Sequence, residues 1–154
     1  MNNRFTTTKT EEIKASADAI FKLACPVEEL KWIRGWEYEL IYSDSGVNEN
    51  NCIFKEKLSG LLLFNGAVET HWQTTTYDKT ARRFHALLMF GGLATCKFEW
   101  DVKENDTGVH TVTWRVTLTS LGDEFKEDPT EKLNLWLNFL SSNAKHYCET
   151  GEML

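Results

Sequence analysis

The segment from Pro129 to about Thr150 places Leu133, Trp136, Leu137, Leu140, Ala144 and Tyr147 at the i, i+3, i+4 spacing of a single apolar helical stripe. It follows about a hundred residues that read mostly as strand. A lone helix with a stripe this bulky must lie on a broad apolar surface. The inner face of a curved antiparallel sheet is the surface the preceding strands can supply. The expected class is therefore α+β, with the helix across one face of the sheet and room for a cavity between them.

The strands can be phased. Phe5–Lys14 reads as a first strand. Ser16 then caps a short helix, Ala17–Ala24, and Pro26 opens a second, Val27 to about Ile33, which Gly35 ends. Further strands are expected at Trp36–Ser43, Cys52–Leu58, Val68–Tyr77, Arg82–Phe90, Leu93–Lys103 and Val109–Leu121. Their short connections predict an antiparallel meander. In the sixth strand Ala94, Cys96, Phe98, Trp100 and Val102 alternate with polar residues, and in the seventh Val112, Trp114, Val116 and Leu118 do the same. The fourth strand sets Val68, Thr70, Trp72, Thr74 and Thr76 on one face, and the third sets Cys52, Phe54, Glu56 and Leu58 together. The run Ser59–Gly66 is apolar between glycines and reads as a hairpin extension or an apolar loop. Gly122–Asp128 is an acidic connector, with Asp128 as a cap and Pro129 as the first residue of the last helix.

Composition narrows the function classes. Six Trp and nine Phe point to a large core or a cavity walled by flat rings. A net charge of −6 argues against a nucleic-acid surface. Cys25, Cys52, Cys96 and Cys148 share no metal-ligand spacing, and the histidines form no HxH or HExxH pattern, so neither a metal nor another cofactor is expected. Met1–Thr7 carries no apolar run of a secretion signal, and no apolar stretch is long enough to insert in a membrane. Reduced cysteines in the cytoplasm are the simplest expectation. Residues 1–154 are expected to form one domain, since no linker or repeat interrupts them.

The order strand, two short helices, six strands and long helix is similar to that of the START-like superfamily, also called SRPBCC or Bet v 1-like. Ile13-Lys14-Ala15-Ser16-Ala17-Asp18-Ala19-Ile20-Phe21 resembles its opening "I-x-A-x-x-x-x-V-F". Trp32 and Trp36 fall where members often carry a tryptophan, and Thr76-Tyr77-Asp78 with Arg82-Arg83-Phe84 resembles its "x-Y-D-x-x-x-R" turn. Phe139-Leu140, Tyr147 and Gly151-Glu152-Met153-Leu154 resemble its terminal helix. The resemblance covers nearly the whole chain. It implies a helix-grip fold, a curved seven-stranded sheet around the C-terminal helix with a deep cavity between them. It also implies an apolar or amphipathic ligand such as a lipid or polyketide, or cyclase or dehydratase-like chemistry. The Hsp90-activator-like branch shares the opening motif but not its tryptophan-rich middle strands, and an interaction module of that kind is a further reading.

The cavity candidates are Phe54, Trp72, Phe98, Trp100, Trp114, Trp136 and Leu140 for apolar contact, with Glu56, Thr74, His110 and Asn143 as polar anchors. Glu56 either points into an apolar interior with a raised pKa or sits in water at a sheet edge. His110, in phase with Val112 and Trp114, either anchors a ligand at the mouth of a cavity or ends a strand half-exposed. The tryptophans either line a pocket or fill a core. Thr74 and Asn143 supply hydrogen bonds on otherwise apolar faces. No nucleophile elbow or phosphate loop is present, so no catalytic residue is assigned. The expected partner is a small hydrophobic ligand, and the exposed run Leu61–Phe64 suits a pocket lid, a partner surface or a homodimer.

Overall fold

A computed structural model describes residues 3–66, 68–123 and 125–154. Met1 and Asn2 of the N-terminal segment and Glu124 of the acidic connector lie outside them. The elements run β1 (Arg4–Ile13), α1 (Ala17–Lys22), α2 (Pro26–Trp32), β2 (Tyr38–Tyr42), β3 (Ile53–Glu56), α3 (Leu58–Leu63), β4 (Thr70–Asp78), β5 (Arg83–Phe90), β6 (Ala94–Lys103), β7 (His110–Ser120) and α4 (Thr130–Thr150). The strands make one antiparallel sheet in the order β1-β7-β6-β5-β4-β3-β2. β2 to β7 form a meander, and β1 closes the far edge by pairing with β7 from Arg4↔Thr119 to Ile13↔His110. The curved sheet wraps around α4, with α1 and α2 between β1 and β2, which is the helix-grip architecture.

The alternation in β6 and β7 sets this geometry. Cys96, Phe98, Trp100, Val112, Trp114 and Val116 are all buried, and α4 lays Leu133, Trp136, Leu137 and Ala144 against them. Ser16 caps α1 by accepting the Ala19 N–H at 3.1 Å. Gly151 stops α4 in the left-handed conformation, φ 76°, that glycine adopts without strain. The start of α4 differs slightly from expectation. Thr130 is its first helical residue, and Asp128 accepts the Thr130 N–H at 2.8 Å instead of occupying the cap position.

Two differences from the sequence reading bear on the site. First, Ser59–Gly66 is neither a hairpin extension nor a loop: Leu58–Leu63 is helical and β3 ends at Glu56. Lys57 takes a helical backbone, φ −116° and ψ −18°, and turns the chain out of the sheet. Gly60 then lets α3 touch the Val68 backbone, since a Cβ there would lie 2.9 Å from the Val68 carbonyl carbon. Second, a bulge between Thr74 and Thr76 shifts the phase of β4. Thr70, Trp72 and Thr74 face the interior, but beyond the bulge Tyr77, not Thr76, packs inward and stacks on Phe21 at 5.1 Å.

Candidate functional site

Aromatic rings fill the space between β3–β6 and α4. Phe54 stacks on Trp72 with centroids 5.4 Å apart, Trp72 meets Phe98 at 5.1 Å, and Phe98 meets Trp136 of α4 at 5.8 Å. Trp100 packs on Trp114 at 5.3 Å and edge-on to Trp32 at 6.0 Å. Trp136 and Leu140 occupy the middle of this space. The deep cavity implied by the sequence resemblance is thereby reduced in this conformation to a void of about 10 Å3. That is room for one water-sized group.

Two carboxyl groups enter this apolar interior. Glu56, at the end of β3, is 2% exposed. Its Oε1 accepts the Trp72 indole N–H at 3.0 Å and its Oε2 accepts the Ser59 backbone N–H at 3.0 Å. Burial raises its pKa, and these hydrogen bonds, which favour the carboxylate, oppose that rise. Glu29, on α2, is 9% exposed and lines the void. Its pKa is raised further, by burial first and then by the nearby Glu56 and Cys25. No group among the described residues bonds its Oε2. The Trp100 Nε1 on the same void also lacks a partner among those residues. The pair is thus unequal: Glu56 is engaged through both oxygens, and Glu29 presents an oxygen that the protein leaves free.

Glu29 was missed in the sequence, although a signal for it exists. Glu29, Trp32 and Ile33 stand at i, i+3 and i+4, which puts the carboxylate on the buried side of α2. That segment is anchored by its tryptophans: Trp32 Nε1 donates to the Leu23 carbonyl at 3.3 Å and Trp36 Nε1 to the Pro26 carbonyl at 2.9 Å.

The other polar candidates are committed elsewhere. Thr74 donates to the Asn48 side chain at 2.7 Å, and Asn48 donates to the Ala24 carbonyl at 2.7 Å, so this pair ties the 44–51 loop to the end of α1. Asn143 donates to the Phe139 carbonyl one turn back in α4 at 2.7 Å. His110, opposite Ile13, accepts the Asn105 N–H at its Nδ1 (3.0 Å) and closes the β6–β7 turn. Of the apolar candidates, Trp72, Phe98, Trp100, Trp136 and Leu140 line the void, and Phe54 and Trp114 pack behind them.

Outside the sheet edge an open cleft of about 510 Å3 lies beside Tyr38, Lys55, Glu56, Leu58 and Leu61. Its rim carries Lys55, paired with Glu39 at 3.1 Å and Glu69 at 3.6 Å. Leu58 lines both cleft and void, and Glu56 reaches from the cleft wall to Trp72 on the void. The first turn of α3 is therefore the partition between them. Glu56 holds its start through the Ser59 N–H, Ser59, Gly60 and Leu63 are buried, and Leu61 on its outer side is 59% exposed. Among the described residues no His/Cys/Asp/Glu group could hold a metal, and no helix is long and apolar enough to cross a membrane.

No protein-family model and no curated protein matches the sequence. Solved structures match the fold. The major latex-like protein 151 from Panax ginseng aligns with a TM-score of 0.71 at 14% identity, over 96% of this chain and 99% of that one. A START superfamily protein from Mycobacterium smegmatis aligns at 0.69 and 13%, over 94% and 97%. The Zhui aromatase/cyclase from Streptomyces sp. R1128 aligns at 0.67 and 11%, over 98% and 99%. The chain shares the helix-grip fold of these structures, and at these identities the likeness speaks to fold alone.

Proposed function

We propose that this protein binds a small, largely apolar ligand between the sheet and α4, reached from the cleft side by displacement of α3. The observation that carries the reading is Glu29, a carboxyl with a free oxygen buried among tryptophan rings. A group of this kind costs folding free energy that an aliphatic side chain would not. A ligand with one polar group and an apolar body gives it a partner. The small void means that binding requires Trp136, Leu140 and α3 to shift, and the exposed outer side of α3, Leu61 and Leu62, leaves room for that movement. Lipids, sterols and polyketide-like aromatics are the classes to screen. Native mass spectrometry and thermal shift against such a panel test the reading. At least one class is expected to form a one-to-one complex and to raise Tm as ligand exceeds Kd. Absence of both effects across the panel removes it.

A second reading has its own support. Two neighbouring carboxyl groups, both with raised proton affinity and Glu29 the more so, suit general acid–base work, with Glu29 as the acid and Glu56 as the base. A cyclase or dehydratase-like activity on a bound polyketide would use them so. Turnover of a poly-β-keto substrate that survives in Glu29→Gln excludes this role for Glu29.

A further inference from the structure

Glu29 of α2 and Trp100 of β6 both line the small void. Each residue also carries a buried polar atom, Oε2 and Nε1, with no partner among the described residues. Both side chains are more than nine-tenths buried. Apart from Ser59, the rest of the wall is hydrophobic, with Trp36, Trp72, Trp136 and Leu140 as its largest faces. Glu56 is not the second anchor of this void, because it does not line it and its oxygens already hold Trp72 and Ser59. Two residues with orphaned groups on the wall of a space of about 10 Å3, the size of one water-sized group, limit what can satisfy them.

An indole N–H only donates. The group that meets Trp100 must therefore accept, which rules out an ammonium headgroup. A carboxylate oxygen only accepts, so the same group must donate to Glu29; a ligand carboxylate cannot. A hydroxyl does both at once. It also serves Glu29 in either protonation state, since a protonated carboxyl still presents a carbonyl oxygen. A ligand carbonyl would need Glu29 to supply a proton and would lose that contact on ionisation. We propose that the void between α2 and β6 is a hydroxyl subsite: Trp100 Nε1 donates to the hydroxyl oxygen of a phenol or alcohol, that hydroxyl donates to Glu29 Oε2, and the surrounding indole rings take its aromatic or polycyclic body. This rests on the ligand-binding reading above and names the chemical class of the ligand.

The test uses three compounds of nearly one shape. 2-Naphthol accepts and donates, 2-methoxynaphthalene accepts only, and 2-methylnaphthalene does neither. Affinities come from equilibrium dialysis against the full chain, beside the wider panel. The expected order is naphthol, then methoxynaphthalene, then methylnaphthalene, with at least about tenfold between first and last. In Trp100→Phe and in Glu29→Met the preference for naphthol is expected to fall to within about threefold. Glu29→Met removes a buried polar group without removing volume, so it remains foldable should Trp100→Phe not be, and circular dichroism checks both. Equal binding of naphthol and methylnaphthalene overturns the subsite while leaving ligand binding intact. So does a naphthol preference that survives in Glu29→Met, or failure of all three compounds in a protein that takes up another panel ligand. Failure of every compound removes both proposals together.

Discussion

Replacement of Glu29 by Gln should change the pH dependence of stability in a direction fixed by the structure. Glu29 and Glu56 both hold their protons above the ordinary carboxyl value of 4.5, mainly because burial disfavours the charge. From pH 4.5 upward the unfolded chain releases protons that the folded protein retains. The folded state then binds more protons than the unfolded one, so stability falls as pH rises, until each folded-state pKa is passed. One such group contributes a slope of at most about 1.4 kcal/mol per pH unit. Glu29→Gln removes one of the two. Between pH 5 and pH 7 the variant should therefore lose less stability than the parent by up to about 2.7 kcal/mol, the product of that slope and two units. Glu49 and Asp128, whose pKa values are lowered, act below this window: their stabilisation is lost as pH falls through the acid range. Urea titrations followed by tryptophan fluorescence at pH 5, 6, 7 and 8 measure the difference directly. Parallel profiles for parent and variant, with equal denaturant dependence, would refute the assignment of Glu29 as a buried group of raised pKa.

Other outcomes follow from the same geometry. Trp136→Ala should cost about 3–5 kcal/mol of stability and open an apolar cavity, so indole at about a hundred times its Kd should restore about 2.7 kcal/mol in thermal unfolding; no differential rescue relative to the parent would place Trp136 outside the filled interior. Trp72→Phe removes the indole donor to Glu56 Oε1 and should cost about 1.5–3 kcal/mol beyond ring packing, a loss that a Glu56→Met background should largely abolish in a double-mutant cycle. Gly60→Ala drives a Cβ into the Val68 carbonyl and should loosen α3, read as faster amide exchange in residues 58–63. Cys52 and Cys148, with thiol pKa values pushed up to about 11 by burial, and Cys96, pushed higher still, should resist thiol reagents at pH 8 in the folded protein and react once it unfolds.

The parts of the fold that were legible in the sequence are those where one periodicity runs uninterrupted. The stripe of α4 and the alternation of β6 and β7 each repeat over ten or more residues, and the structure buries the faces they mark. Legibility failed where a single residue changes the rule. The phase of β4 is lost at one bulge residue that no pattern announces, and the helix α3 starts because Lys57 leaves the strand conformation. A six-residue apolar helix has too few turns to show a period. The polar anchors were harder to read because their partners are distant. Thr74 finds Asn48, Asn143 finds its own helix backbone and His110 finds Asn105, and none of these pairings is written in local spacing. Glu29 was legible in principle, since its spacing to Trp32 and Ile33 marks a buried face, but a charged residue in a short helix reads by default as solvated.

The two buried carboxyls show how this interior divides structural from functional work. Glu56 joins three elements: it sits on β3, holds the Trp72 ring of β4 and accepts the Ser59 N–H in the first turn of α3. Its burial is offset within the protein, and replacing it by Gln would leave one of two N–H donors facing an amide N–H, a loss of about 1–3 kcal/mol. Glu29 has no such return at its Oε2. Substituting Met there removes an uncompensated group and should hold or raise stability, as apolar replacements of buried ionic groups often do. The same pair of variants therefore separates the roles. Glu56→Gln should weaken fold and binding together. Glu29→Met should preserve the fold and remove only the discrimination between hydroxylated and bare ligands. A loss of fold in both, of equal size, would make Glu29 a structural residue and leave the interior a filled core.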